Sequence, residues 1–111
     1  MECLTDPIDV ERSEEQELLS GLIRIHVLYH ACRKPIFGLG MMEKLRGLGY
    51  KLSAGTMYPL LHGLEKRRYL RSNGIRSGKV ARRLYRATPA GRKALAKVRL
   101  KVKDLLGELL E

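Results

Sequence analysis

Aromatic side chains are scarce in this 111-residue sequence, which contains no tryptophan, one phenylalanine and five tyrosines. Proteins that read single-stranded RNA generally stack exposed aromatic rings on the bases. At least Phe37, Tyr69 and Tyr85 lie in segments whose pattern is that of core or strand. The shortage argues against single-stranded RNA as the principal ligand, although a basic RNA-binding or architectural protein stays open as an alternative.

Cysteine is also rare, and the two cysteines, Cys3 and Cys32, are far apart and lack the spacing of metal ligands. A structural disulfide or zinc site is therefore not expected. His26 and His30 are four residues apart, which can hold a metal on a helix, but no carboxylate or thiolate joins them at a suitable spacing. We expect no metal site and two free thiols.

Long apolar runs and catalytic motifs are missing too. No run approaches the roughly 20 residues that cross a bilayer, and the first residues lack the basic and apolar regions of a signal peptide. A cytoplasmic protein is expected. The sequence has no HExxH motif, no nucleophile with a matching base and no phosphate-binding loop after a strand, so we expect neither an enzyme nor a cofactor.

Acidic residues are absent from one long stretch of the chain. Between Lys66 and Lys103 there are fifteen lysines and arginines and no acid. Residues 1–33 carry a net charge of −4 and residues 34–111 carry +14, which gives +10 for the whole chain. A stretch of one sign costs stability unless a polyanion compensates it, and a phosphate backbone is the simplest such partner. An acidic protein bound by the same stretch is a further alternative.

Residues 53–65 are predicted to form a short helix with one buried face. Ser53 is a favourable N-cap, because its oxygen can accept a hydrogen bond from the N–H of Gly55 or Thr56. Apolar residues then recur at helical spacing, at Met57, Leu60, Leu61 and Leu64. Pro59 removes one backbone hydrogen bond, so a slight kink or a late start is expected. The opposite face suits a DNA groove, because it carries small, aromatic and basic residues: Ala54, Gly55, Tyr58, His62 and Lys66.

A hairpin and a last helix are predicted after this helix. Strand-like runs over 69–72 and 80–87 flank a glycine-containing turn over 73–79, and Tyr85 and Ala87 alternate with Arg86 as in a half-buried strand. Thr88 and Pro89 are a plausible N-cap and first residue of the last helix. Its apolar residues form a heptad seam that requires another helix, at Leu95, Val98, Val102, Leu105 and Leu109. This order of elements is that of a winged helix-turn-helix.

The same residues carry a resemblance to a known family. In order and spacing, the chain resembles the PadR family of bacterial transcriptional regulators at Ser53, Gly55, Thr56, Tyr58-Pro59-Leu60-Leu61, Leu64-Glu65, Tyr85-Arg86, Thr88 and Gly91. The likeness covers about residues 22–91. It implies a DNA-binding transcriptional regulator, expected to be a repressor, that binds a pseudo-palindromic operator as a homodimer. It also allows a small aromatic or cationic effector at the dimer interface, where the single short C-terminal helix leaves limited room. Effector control is therefore expected either to be absent or to rest on a small inter-subunit cavity lined by the first and last helices.

The predicted fold is mainly α with a small β-hairpin: a winged helix-turn-helix plus N-terminal and C-terminal dimerisation helices. Residues 1–12, acidic and containing Pro7, are predicted to be a flexible arm. Ser13 with Gln16 has the pattern of a capping box that opens the first helix. Residues 13–88 would form the DNA-binding domain and residues 89–111 the C-terminal dimerisation helix. A second helix is predicted over about 38–48, with Leu39, Met42 and Leu45 on one face.

Candidate DNA ligands come from the third helix and the hairpin. The hydroxyls of Ser53 and Thr56 are expected to meet phosphate, whereas other side chains of the helix would reach bases or sugars. The whole predicted set is Ser53, Ala54, Gly55, Thr56, Tyr58, Pro59, His62, Lys66, Arg71, Arg76, Ser77, Lys79, Arg82 and Arg83. The predicted dimer interface consists of Leu18, Leu22, Ile25, Leu95, Val98, Val102, Leu105 and Leu109.

Overall fold

A computed structural model describes residues 7–77 and 80–111, with side chains described outside residues 75–81. Its helices are α1 (Gln16–Arg33), α2 (Gly38–Gly47), α3 (Ala54–Lys66) and α4 (Pro89–Leu109). Its strands are β1 (Ile8–Asp9), β2 (Ile36–Phe37), β3 (Tyr50–Lys51), β4 (Leu70–Ser77) and β5 (Val80–Ala87), and a short 3₁₀ helix covers Val10–Arg12. The mainly α winged helix-turn-helix predicted from the sequence is confirmed. Within the described ranges, no helix is both long and apolar enough to cross a bilayer.

The wing is the hairpin of β4 and β5, which pair antiparallel from Leu70 opposite Ala87 to Ser77 opposite Val80. β2 pairs with the other edge of β5, so the order of this sheet is β2-β5-β4. The predicted turn over 73–79 is wrong for residues 73–77, because β4 continues to Ser77. Gly74 stays in the ladder opposite Arg83, since a glycine weakens a strand without preventing its pairing.

The core lies where α1, α2 and α3 meet the sheet. The four apolar residues predicted for the buried face of α3 are all buried, and Tyr85 is fully buried beside the exposed Arg86. Leu39 is an incorrect assignment, because it is 61% exposed while Met41 and Leu45 fill the core. Helical periodicity explains the difference. Gly38, Met41 and Leu45 are spaced by three and four residues and share one face, whereas Leu39 lies outside that face.

Residues 7–12 pack on the domain instead of forming a flexible arm. β1 pairs in parallel with β3, and the N–H of Ile8 donates to the carbonyl of Gly49 at 2.7 Å. Val10 is 1% exposed and belongs to the core. The predicted arm is therefore wrong for this part of the chain, because a buried valine and a short ladder hold it in place. Residues 1–6 lie outside the described residues.

The start of α1 differs from the predicted capping box. The helix begins at Gln16, and Glu15 is its N-cap residue. Ser13 Oγ accepts a hydrogen bond from the N–H of Glu15 at 3.0 Å and donates one to the Glu15 carboxylate at 3.0 Å. Serine competes for backbone groups two residues along in this way. The side chain of Ser13 is thus used in a local turn before the helix.

α3 ends in a left-handed residue that is not glycine. Arg68, which follows the C-cap residue Arg67, has a φ of 67°, a left-handed conformation that favours glycine. The N–H of Tyr69 donates to the carbonyl of Leu64 at 2.9 Å, and the N–H of Arg68 donates to the carbonyl of Glu65 at 2.8 Å. These two bonds form a Schellman motif, which satisfies the last carbonyls of the helix.

Thr88 joins the end of α3, the wing and α4 at one corner. Its Oγ accepts a hydrogen bond from the N–H of Gly91 at 2.9 Å, which confirms the predicted N-cap of α4, and it donates to the carbonyl of Arg68. The N–H of Thr88 also donates to the carbonyl of Tyr69 at 3.0 Å. A Cβ on Gly91 would lie 2.2 Å from that carbonyl oxygen. Only a glycine therefore fits at position 91 in this corner.

Candidate nucleic-acid interface

The outer face of α3 is the centre of the candidate site. Because its apolar residues turn into the core, the opposite side of the helix is held outward. Most of the predicted ligands of α3 are exposed, and Thr56 and Tyr58 are half-buried; the exposed ones are Ser53, Ala54, Gly55, Pro59, His62 and Lys66. Pro59 borders a cavity shared with α1 and α4 and lies at the edge of this face. The helix starts at Ala54, so Pro59 does not delay it.

The start of α3 is occupied by a carboxylate from the N-terminal segment. One oxygen of Glu11 accepts hydrogen bonds from the N–H of Ser53 at 3.0 Å, from the Ser53 hydroxyl and from the Thr56 hydroxyl. These bonds, first of all that from the Ser53 hydroxyl, hold the pKa of Glu11 below its ordinary value. The prediction that Ser53 Oγ caps the helix is wrong: the side chain makes no capping bond to α3 and donates to Glu11 instead.

Tyr58 lies against the first residue of α2. A Cβ built on Gly38 would be 2.6 Å from Cε1 and 2.8 Å from the hydroxyl oxygen of Tyr58, so the ring rests directly on the glycine backbone. Tyr58, Gly38 and Gly74 of β4 border one cleft between α3 and the wing. The glycine thereby sets how far the tyrosine ring extends from α3.

The wing is fastened to α3 through Ser72. The Glu65 carboxylate, at the end of α3, accepts hydrogen bonds from the N–H of Ser72 at 3.1 Å and from its hydroxyl at 2.7 Å. Arg83 donates to the same hydroxyl at 3.1 Å. The one acid on the C-terminal half of α3 therefore holds the hairpin in place, and Arg83 lies beside it.

The basic side chains of the wing divide between its two faces. Arg71 and Arg86 are exposed and lie opposite each other in the ladder. The guanidinium of Arg82 lies 5.6 Å from the ring centroid of Phe37, a cation–π distance that orients it beside the start of α2. Successive side chains of a strand alternate between faces, so Arg83 lies on the face of Tyr85 and Arg82 on the other.

Three of the predicted wing ligands cannot be placed. The backbone of Arg76 and Ser77 belongs to β4, but their side chains fall in the segment whose side chains are not described. Lys79 lies outside the described residues. The other predicted ligands lie on α3 and at its start, or on strands β4 and β5, and Tyr58, Arg82 and Arg83 border one cleft.

The predicted dimer residues form an uncovered apolar surface on α1 and α4. Leu18, Leu22, Val102, Leu105 and Leu109 are exposed, whereas Ile25, Leu95 and Val98 are half-buried between the two helices. Arg92 of α4 donates to the carbonyl of Cys32 in α1 at 2.9 Å, which holds the helices together at one end. A large apolar surface of this kind marks an interaction site.

A cavity of about 550 Å³ lies between α1, α3 and α4. Its lining is mainly apolar and includes Leu28, Leu60, Tyr69 and Val98, with Arg24 and Arg67 contributing the charged groups. Both histidines of α1 make aromatic contacts, His26 with Tyr50 and His30 with Tyr29. Among the described residues, no three histidine, cysteine or acidic side chains cluster as metal ligands would.

Sequence reasoning missed two residues of the site. Glu11 is 42 residues from Ser53, and nothing in the local sequence of either residue indicates the contact. The sequence predicts that a helix begins at about Gly38, yet the contact of this glycine with Tyr58 depends on the packing of α2 against α3. A glycine that opens a helix just before a buried apolar face is the signal for such a close approach, because it has no side chain to keep a neighbour away.

Comparison with known proteins gives a family model and a relative that are both described as transcriptional regulators. Residues 27–97 match the family model described as "Transcriptional regulator PadR-like family". The chain is 40% identical over 95 residues to the transcriptional regulator Rv3488 of Mycobacterium tuberculosis, covering 86% of this chain and 89% of that protein.

Solved structures give the same result for the fold. A PadR family transcriptional regulator from Eggerthella lenta superposes with a TM-score of 0.74 at 32% identity, over 86% of this chain and 88% of that one. A PadR-like transcription factor from Bacteroides fragilis gives a TM-score of 0.76 over 86% and 93% of the two chains. At 21% identity, this second likeness concerns the fold alone.

Proposed function

The chain belongs to the PadR-like family of DNA-binding transcriptional regulators, and on that basis we propose that it is a homodimeric repressor of a pseudo-palindromic operator. α3 would enter the major groove, and the wing would lie along the adjacent backbone. The observation that carries this proposal is the surface of α3: most of its outward face is exposed and ends in Lys66, and the one acid on its C-terminal half, Glu65, holds the wing.

The contacts divide into base and backbone groups. Tyr58, His62 and Lys66 extend from the outward side of α3 and are proposed to reach bases or sugars. Ser53, Thr56 and the exposed arginines Arg71, Arg82 and Arg83 are proposed to bind phosphates. Affinity would come mainly from the phosphate contacts and would fall steeply with salt, whereas specificity would come from few base contacts.

Dimerisation is supported by the uncovered apolar surface of α1 and α4. Exposed leucines on both helices, together with the heptad spacing of α4, are typical of a helical interface between two copies. A two-fold dimer would present two α3 helices to half-sites about one helical turn apart, roughly 34–36 Å, or a multiple of it.

In-vitro selection from a random pool of duplex DNA tests the function. The purified protein should enrich an inverted repeat at physiological salt. Tight, salt-sensitive binding to every pool without enrichment would favour the architectural or RNA-binding alternative. Binding to an acidic protein without any affinity for DNA would favour the interaction module. The repressor assignment is tested by placing the enriched sequence before a reporter gene, whose expression should fall when the protein is supplied.

We propose the cavity between α1, α3 and α4 as the site of effector control. Its apolar lining and its two arginines, Arg24 and Arg67, suit an aromatic compound with an anionic or phenolic group better than a cation. A bound compound would lie between α3 and the dimer helix α4, where it could change the distance between the two α3 helices. Operator affinity that stays unchanged across a panel of phenolic and cationic compounds would refute this assignment.

A further inference from the structure

The hydrogen bonds of Glu11 use the groups that the proposed DNA contacts require. One carboxylate oxygen accepts from the N–H of Ser53 and from the hydroxyls of Ser53 and Thr56. A backbone N–H and a hydroxyl each have one proton to donate. While Glu11 holds these three donors, none of them can donate to a phosphate oxygen.

The place that Glu11 occupies also favours an anion electrostatically. The first turn of a helix has free N–H groups and the positive end of the helix dipole. α3 has no acidic residue of its own in that turn, so the negative charge comes from Glu11. A DNA phosphate at the same place would meet a carboxylate of like charge, which repels it.

We propose that Glu11 is an internal substitute for a DNA phosphate. In the free protein its carboxylate holds the donors at the start of α3, and DNA displaces it when a backbone phosphate takes those donors. This inference rests on the proposed function, in which Ser53 and Thr56 contact the DNA backbone. The consequence is that every DNA contact at this point must first break the bonds to Glu11, which lowers the affinity for all duplexes.

Displacement requires only the rotation of one side chain. The backbone around Glu11 is anchored by the buried Val10 and by the pairing of β1 with β3. The Glu11 side chain itself is exposed, and its rotatable bonds allow the carboxylate to turn into water. The core and the 3₁₀ helix therefore need not change when DNA binds.

The test compares Glu11→Ala with Glu14→Ala on one random-sequence duplex, by fluorescence anisotropy at physiological salt. Both substitutions remove one negative charge from the same segment, but in the described part of the chain no hydrogen bond joins Glu14 to α3. Glu11→Ala should bind about tenfold more tightly, which corresponds to ~1.4 kcal/mol, near the lower limit for a hydrogen bond to a charged group. Glu14→Ala should change the affinity by less than about twofold, since exposed charges are screened.

The same substitution in a protein without the two hydroxyl donors shows whether the gain in DNA affinity arises at the start of α3. In a Ser53→Ala, Thr56→Val protein, Glu11→Ala should improve binding much less, because the hydroxyls for which the anions compete are gone. Glu11→Gln keeps the length of the side chain and should gain about threefold, an intermediate effect. If thermal denaturation shows that Glu11→Ala is not folded, Glu11→Gln takes its place in the comparison.

The outcomes separate this inference from the proposed function. Folded Glu11 variants that bind DNA with unchanged or lower affinity, while the wild type binds, would overturn the substitution mechanism and make Glu11 a positioning residue. The same gain in DNA affinity for Glu14→Ala as for Glu11→Ala would also overturn it, because the gain would then come from the change in overall charge. If neither the wild type nor any variant binds duplex DNA, the proposed function fails.

Discussion

One methyl group added at Gly38 tests whether the position of Tyr58 matters for reading DNA. The new Cβ would lie 2.6 Å from Cε1 and 2.7 Å from Cζ of the tyrosine ring. Carbon atoms in ordinary contact are about 3.5–4.0 Å apart. The ring must therefore move by about 1 Å or rotate away from α2. Gly38→Ala changes the position of a proposed base-reading side chain without removing it.

The expected effects on stability and on binding differ in size. The atoms that the Cβ meets are at the far end of a side chain that can shift, so the free energy of unfolding should fall by only about 1 kcal/mol, at the low end for overpacking. A good base contact contributes about 1–3 kcal/mol of discrimination, which is about fivefold to 150-fold in affinity. Gly38→Ala should lose affinity in this range for the selected operator and little for random duplex.

The assay is fluorescence anisotropy on both duplexes, with urea denaturation of each variant. Gly40→Ala is the matched control, because it lies in the same helix and its Cβ would meet no atom within 4 Å. The control should gain about 0.5–1 kcal/mol of stability, the usual advantage of alanine over glycine in a helix, and keep its DNA affinity. Wild-type affinity of Gly38→Ala for the operator, or an equal loss for both duplexes, would refute the role of Tyr58.

Four further substitutions test the corner at Thr88, the proposed dimer and the division of DNA contacts. Gly91→Ala places a Cβ 2.2 Å from the backbone oxygen of Tyr69, which cannot rotate away, so urea denaturation should show a loss of about 3 kcal/mol; a loss below about 1 kcal/mol would mean that the corner yields easily. Val102→Asp should dissociate the proposed dimer in sedimentation, and a variant that stays dimeric would exclude the α4 interface. His62→Ala should weaken operator binding more than random binding. Arg71→Ala should weaken both alike and lower the salt slope by about 1; a changed sequence preference would instead make Arg71 a base-reading residue.

The elements predicted correctly from the sequence depend on neighbours along the chain. The buried face of α3 follows from a spacing of three and four residues, and the cap of α4 follows from Thr88 and the N–H of Gly91 three residues later. The burial of Tyr85 follows from strand alternation. Each of these is decided within one or two turns or strand residues, where periodicity and capping preferences act.

The features that were missed depend on contacts between distant segments. Ser53 has the local chemistry of an N-cap, but its hydroxyl donates to Glu11, a charged acceptor from a distant segment, and its oxygen makes no capping bond to α3. The ordered segment around Val10 depends on a core that forms elsewhere in the chain. The position of Tyr58 depends on how α2 crosses α3, which composition does not determine.

The hydrogen-bonded corner at Thr88 couples the orientation of the wing to that of α4. A single residue separates the end of β5 from the start of α4, and bonds to Arg68 and Tyr69 hold it. In a dimer joined through α4, a change in the crossing angle of the two helices would therefore turn both wings by the same angle. One extra base pair between the half-sites rotates one half-site by about 35° relative to the other. The wings can follow this rotation only if α4 bends or its seam slips. The tolerance for operator spacing would then be set by how far α4 can bend or its seam can slip, away from the DNA surface.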